Sequence, residues 1–555
     1  MPLRSPRLPS VIQNLVLLVY GVLLLIVIPR HEAWGDEQTA WVLARGNSLW
    51  HLATTILRQE GTPGLWHGLL WIMAALHLSF AAVYVLSGAV AIAGVYVLLR
   101  YSPFPLWIRC LLPFTFYIVY QYAVVARQYV LFPLLVFVLA ALASSKRWRP
   151  YWFAFVAVLL SNLSLHGFCF TFGLAVALYF LRERLPSATS FHAARKQNLR
   201  AATVLATGMF FAVLTATPFH VAKLQALAPI ASGSQSQAID LPEDSPLQYE
   251  APAGMNHLQT VFWQKEILHR DSAAPRTLPE KILHAATIRT IALLGLLAYP
   301  ISTSNLLAFA FLLLFFYWLR VQRALVLGLP YLLIVCACLL TQVYEHHTGM
   351  LLITLIAIWW IALKLDPSGL PAKRNSILLQ RSLLAVFLVV IVFQIRWGLH
   401  AVVSDIRQPY TGDNALTHYL DPIYGQNTVA TGMYAGGWNT PLFSHRFESK
   451  AFTKMEGGMP VHPSASQALQ LLMDKLALRP SIVVESEMLV GDQSLKNQIT
   501  PTSRVGASEL SLASIRLIQD AGYHETHRFC GYSFMRSGYS RELCDIVYEP
   551  VAAGR

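Results

Sequence analysis

Two acids stand side by side in the stretch "RHEAWGDEQTAW" at 30–41: Asp36 and Glu37, with Glu32 shortly before them. Adjacent carboxylates at a helix start have several chemical uses. One can take a proton from a hydroxyl as a general base while the other orients it or shares a divalent metal. The positive end of the helix favours a negative charge on Asp36. Glu60, in "RQEGTPGLWHGLLW" at 58–71, is a further carboxylate, with Trp66 and His67 in the same stretch. Arg127, in "VVARQYVL", is a candidate phosphate ligand, since guanidinium grips phosphate through forked hydrogen bonds, and Tyr129 adds a hydroxyl. His166 in "NLSLHG" and His346 with His347 in "EHHTG" complete the set.

Plainer readings account for each residue taken singly. Asp36 serves as a helix N-cap and Glu37 as a solvated first-turn residue. Arg127 snorkels at the edge of a membrane span, and a lone histidine at such an edge bonds to interfacial partners. Only elements that bring the residues to one place would favour chemistry.

The elements are those of a membrane protein. The chain has 555 residues, of which 55% are hydrophobic and 13% charged, with a mean hydropathy of +0.48. A soluble domain carries roughly 25% charge. The net charge of +13 does not point to nucleic acid, because the basic residues recur in short clusters between apolar runs rather than in one patch. The first run, 11–28, lacks a small-residue cleavage site and is read as a retained span with Arg4 and Arg7 in the cytoplasm. Further runs at 80–99, 105–122, 128–144, 151–165, 167–181, 201–217, 303–319, 324–341, 349–364 and 380–398 bring the expected spans to about eleven. The clusters at 100–109, 146–149, 182–200, 319–323 and 372–374 then share the N-terminal, cytoplasmic side. The opposite side receives the loop 29–79, the turns near 122–128 and 166, the long segment 218–302, "YEHHTG" at 344–349, and everything after about 399. Within these outer segments, 63–78 is expected to lie in the interface with Trp66 and Trp71 at headgroup depth, and 287–302 to be interfacial or half-inserted.

Two domains follow: a transmembrane domain over 1–400 and a small extracytoplasmic α/β domain over 401–555. In the latter, "NTVATGM", "SIVVES", "GYSFMR" and "DIVYEP" read as strands, and "SASQALQLLMDKLAL" and "SELSLASIRLIQDAGY" as amphipathic helices. Cys530 and Cys544 lie there and are placed to pair outside the cytoplasm. The fold class is therefore mainly α, a polytopic helical membrane protein with a small α/β appendage. No G-x-G-x-x-G or Walker pattern supports nucleotide binding, and no D-x-D supports a metal-held nucleotide-sugar diphosphate.

"EAWGDEQTAWVLARG", "EGTPGLWHGLLW", "YQYAVVARQYVL", "NLSLHG" and "EHHTG" occur in an order that resembles the GT-C glycosyltransferases, in particular bacterial relatives of protein O-mannosyltransferases and aminoarabinose transferases. The resemblance covers about 10–400. It implies an enzyme of the bacterial inner membrane that takes a sugar from a polyprenyl-phosphate donor. The acceptor is a lipid, glycan or protein hydroxyl on the outer face. Asp36 is then the base, with Glu37 assisting. Glu60, Trp66, His67, Arg127, Tyr129, His166, His346 and His347 are implied to contact substrate, and a divalent metal, if one is used, would sit on Asp36 and Glu37. Thr62-Pro63, Gly35 and Glu345-His346 depart from the histidine-proline, basic and arginine-histidine residues such relatives carry at those places. The alternatives are a transporter or flippase of lipid-linked saccharides, and an assembly protein that displays its C-terminal domain.

Overall fold

The computed structural model describes residues 8–33, 35–216, 290, 293–340, 345–366, 373–432, 465–492, 509–534 and 539–551. Most of the segment 218–302 therefore lies outside the described residues, as does the turn 341–344. The architecture is mainly helical with a small C-terminal sheet.

Among the described residues, four helices are long and apolar enough to cross a bilayer: Ser10–Arg30, Ala81–Tyr101, Arg195–Ala216 and Ile377–Arg407. Each contains a long apolar stretch, and a span needs about 20 residues at 1.5 Å each. Seven other apolar helices, of 10–17 residues, pack between and beside these. The helix over Lys373–Arg407 has 35 residues, hence about 50 Å of length against a hydrocarbon core of about 30 Å. Its far end accordingly carries polar groups, among them Asp405.

The run 105–122 does not form the single continuous helix that its hydropathy suggests. Pro113 lacks an N–H and breaks the helix after Leu111. The chain continues as a tight 3-10 turn at Leu112–Phe114 and a wide π turn at Tyr117–Gln121. Irregular backbone is tolerated at such depth only when protein surrounds it and every polar group finds a partner. Residues Phe116 to Ala126 are almost all buried, and the carbonyls of Ile118 and Ala123 accept from Tyr20 Oη and Ser87 Oγ, both at 2.8 Å.

The helix Leu65–Ala75 is too short to span. Trp66 is only 2% exposed, packed in the main core against the helix Gly35–Gly46, and half-buried Trp71 donates from Nε1 to the Asn47 carbonyl at 3.2 Å.

Polar loops meet in two sets. Arg184 donates to the carbonyls of Gln322, Arg323 and Asp366, which joins three basic loops, and Arg100 reaches Gln13 and Asn14. The second set gathers the first loop, the 122–127 turn, the starts of the helices Leu165–Phe180 and Glu345–Ala362, and the end of Lys373–Arg407.

The C-terminal domain is a four-stranded sheet of order β1-β2-β4-β3, with β1 Val429–Thr431, β2 Ile482–Asp492, β3 Tyr523–Phe534 and β4 Tyr539–Pro550. β1 and β2 are parallel, and the remaining pairs antiparallel. The helices Ala465–Ala477 and Glu509–Asp520 contribute Leu472, Leu476 and Ile518 to a core with Val483, Ile546 and Tyr548. Cys530 and Cys544 stand opposite one another on β3 and β4 and are joined as a disulfide.

Candidate functional site at the polar end of the helices

Asp36 and Arg127 meet. Asp36 lies inside the first turn of Gly35–Gly46 rather than at its N-cap, and its Oδ2 is 2.7 Å from Arg127 Nη2. The Asp36 side chain is 43% exposed and that of Arg127 17%, so the pair sits at the mouth of the cluster, not in its depth. The other terminal nitrogen, Arg127 Nη1, lies 3.1 Å from His346 Nδ1. Because the guanidinium has only donors, Nδ1 accepts, which places the proton of a neutral His346 on Nε2.

Behind the cation runs a file of rings. Arg127 Cζ stands 5.3 Å from the centre of the Tyr129 ring, which stacks on His346 at 5.0 Å. Tyr129 Oη is 2.8 Å from His347 Nε2, His347 stacks on His166 at 5.0 Å, and His166 Nε2 lies 3.3 Å from Cys338 Sγ. Close packing makes this possible. Ser164 caps Leu165–Phe180 by accepting from Gly167 N at 3.1 Å, which sets His166 in the first turn. Gly349 lets Glu345–Ala362 lie against Tyr117; any Cβ at 349 would collide with that ring. Tyr117 and Tyr122 then bond to Thr348 Oγ1 at 2.8 Å and the His346 carbonyl at 2.5 Å.

Glu37 takes a different place from Asp36. It is 1% exposed; Oε1 accepts from the Ala126 N–H, and Oε2 lies 3.5 Å from His31 Nε2. Successive helix residues point about 100° apart, so the two acids serve different partners. Among the described residues no three His, Cys, Asp or Glu side chains are gathered as a metal site. Glu37 is buried and bound to the main chain just before Arg127.

Five residues with no assigned role in the sequence pattern join the network. His31 Nδ1 donates to Asp405 Oδ2 at 2.7 Å, and Tyr120 Oη donates to Asp405 Oδ1 at 2.8 Å. Gln38 donates to Asp413 Oδ2 at 2.7 Å. Burial works against a charged His31, but the Asp405 and Glu37 carboxylates outweigh it and raise its pKa to about 10. Glu32, rather than joining Asp36, is buried and accepts from Thr411 N and Oγ1 at 2.8 and 3.0 Å. Burial and then the neighbouring Asp545 carboxylate hold Asp413 well above the usual carboxylate range.

Glu60 and His67 pair with each other, Oε2 to Nε2, at 3.1 Å. His67 is 3% exposed and its Nδ1 is buried without a hydrogen-bond partner among the described residues. The structure thus joins Asp36, Glu37, Arg127, Tyr129, His166, His346 and His347 in one cluster, while Trp66 is core and Glu60–His67 is a separate pair. Compared with known proteins, the chain matches no family model, no curated protein and no solved structure.

Proposed function

We propose that the protein is a membrane glycosyltransferase of the GT-C type that moves a sugar from a polyprenyl-phosphate donor to an acceptor hydroxyl. One observation carries this reading: a partly exposed carboxylate, Asp36, lies against a cation, Arg127, at the polar end of a helical bundle. Those are the two charged parts that such a transfer requires. In the reaction, Asp36 takes the proton of the acceptor hydroxyl as its oxygen forms a bond to the anomeric carbon. The bond from that carbon to the phosphate oxygen breaks, and polyprenyl phosphate departs with the electron pair. Arg127 binds the resulting negative charge, and His346, which accepts from Arg127, holds the guanidinium in place. Burial behind the pair excludes water that would otherwise hydrolyse the donor.

This reading goes with about eleven spans, a cytoplasmic N-terminus, and the C-terminal domain on the outer side of a bacterial inner membrane. Every segment expected on the outer side that carries a site residue contributes to the second polar set, which supports it.

The broken segment over 112–130 favours a second reading, a transporter or flippase for lipid-linked saccharides, because interrupted helices line the substrate paths of transporters. Turnover separates the two. Purified protein is supplied with a radiolabelled polyprenyl-phosphate sugar and membrane-lipid or cell-wall acceptors, and wild type is compared with Asp36→Asn. The enzyme reading expects label in the acceptor fraction for wild type and at least about a hundredfold less for the variant. Transfer that survives the substitution intact removes Asp36 as base. No transfer from any donor, with movement of the lipid across vesicles, establishes the transport reading instead.

A further inference from the structure

We propose that His31 and Asp405 are positioning residues: the buried chain Asp405–His31–Glu37 ends on the Ala126 N–H and fixes the main chain that carries Arg127. The inference rests on the reading of Arg127 as the ligand of the donor phosphate.

The geometry is specific. Two successive acids grip two successive residues: Asp36 takes the Arg127 side chain, and Glu37 takes the main-chain N–H of Ala126. Whatever holds Glu37 therefore sets the height and direction of the guanidinium. Against that acid stands His31, whose ring lies between Glu37 Oε2 at 3.5 Å and Asp405 Oδ2 at 2.7 Å, with all three side chains fully buried, and the buried Tyr84 hydroxyl also faces Glu37. Tyr410 packs on the His31 ring at 4.4 Å, and Tyr120 donates to the second Asp405 oxygen. An imidazole ring set between two carboxyl groups in a dry site has strong preferences in both distance and direction. Arg127 itself sits in extended backbone, outside any helix that would otherwise hold it.

Asp405 stands at the end of the last long helix, and the next residues tie the same loop to the C-terminal domain. Thr411 donates to Glu32 and Asp413 accepts from Gln38, while Tyr532 N of β3 donates to the Pro409 carbonyl at 2.8 Å. Gly531 of β3 lies flat on Thr411, where a Cβ would collide. The C-terminal domain is thus clamped to the loop that bears Asp36 and Glu37, and the chain through Asp405 carries that clamp to Arg127.

The test uses the full chain in detergent and undecaprenyl phosphate as the probe, with affinity and melting temperature measured together. Asp405→Asn and His31→Gln are each expected to weaken binding about tenfold, as for the loss of a charge-assisted hydrogen bond. Combining Asp405→Asn with Glu37→Gln should weaken it no further than the worse single change, because both act through one chain. Tyr523→Phe, which removes a bond to the Pro480 carbonyl in the distant sheet, should lower the melting temperature and leave affinity unchanged. Where Asp405→Asn does not fold, Tyr120→Phe removes one bond to Asp405 and is expected to weaken binding about threefold. Folded His31→Gln or Tyr120→Phe protein that binds like wild type overturns the proposal, as do losses that add. A wild type that binds no undecaprenyl phosphate overturns the donor reading itself, and the positioning role with it.

Discussion

At the scale of single residues, the account makes His31 a permanent cation of the folded protein. Its pKa, raised to about 10 in the folded state against about 6.5 in an unfolded chain, means that the native state holds an extra proton between those values. The stability that His31 contributes is therefore complete below about pH 6.5 and is lost as pH rises through about 10. Melting temperatures of the purified protein across that range should fall with pH in wild type, and the slope should be shallower in His31→Gln. Equal slopes would show that His31 is neutral in the folded chain. Asp36 and Arg127 were legible from residue type and order in the chain. His31 and Asp405 were not, because they lie 374 residues apart and a histidine next to a span ordinarily reads as an interfacial hydrogen-bonder. The nearest signal was local: His31, Glu32, Asp36 and Glu37 crowd four ionisable groups into a stretch where the bilayer ends.

Elements were legible where periodicity or hydropathy is unbroken, and misread where a buried segment departs from helix. The long spans and the strands and helices of the C-terminal domain follow their sequence patterns, and the expected pairing of Cys530 with Cys544 falls on facing positions of β3 and β4. The run 105–122 is as apolar as its neighbours, so hydropathy makes it a span. Pro113 and the side-chain partners of nearby carbonyls make it an interrupted helix instead. Gly349 is the contact on which this arrangement turns, since it lets Glu345–Ala362 press against the π turn at Tyr117. Gly349→Ala should cost about 1–3 kcal/mol through overpacking and should lower affinity for donor by displacing His346. Thermal unfolding and a binding titration check both; a variant as stable as wild type would mean that the helix approaches less closely than described.

For the whole molecule, the C-terminal domain is joined to the bundle by buried polar groups rather than by a tether alone, and its own pH response can be read apart from that of the bundle. Within the domain, burial raises Glu485 to about 8 from the 4.5 of an unfolded chain, and its Oε2 accepts from Ser514. A raised acid binds more protons folded than unfolded, so its contribution favours folding at low pH. That contribution weakens as pH climbs from 4.5 to about 8. Glu485→Gln should flatten the pH dependence of unfolding followed by a probe in the sheet, and an unchanged curve would exclude a protonated Glu485. The central claim concerns the meeting of Asp36 with Arg127, and a split between binding and turnover tests it most directly. On one preparation, undecaprenyl-phosphate affinity and sugar transfer are measured for wild type, Arg127→Ala and Asp36→Asn. The account predicts that Arg127→Ala neither binds nor transfers. Asp36→Asn should bind at least as tightly as wild type, its Arg127 being released to the phosphate, yet fail to transfer. Transfer by Asp36→Asn at the wild-type rate, or full binding by Arg127→Ala, would contradict it.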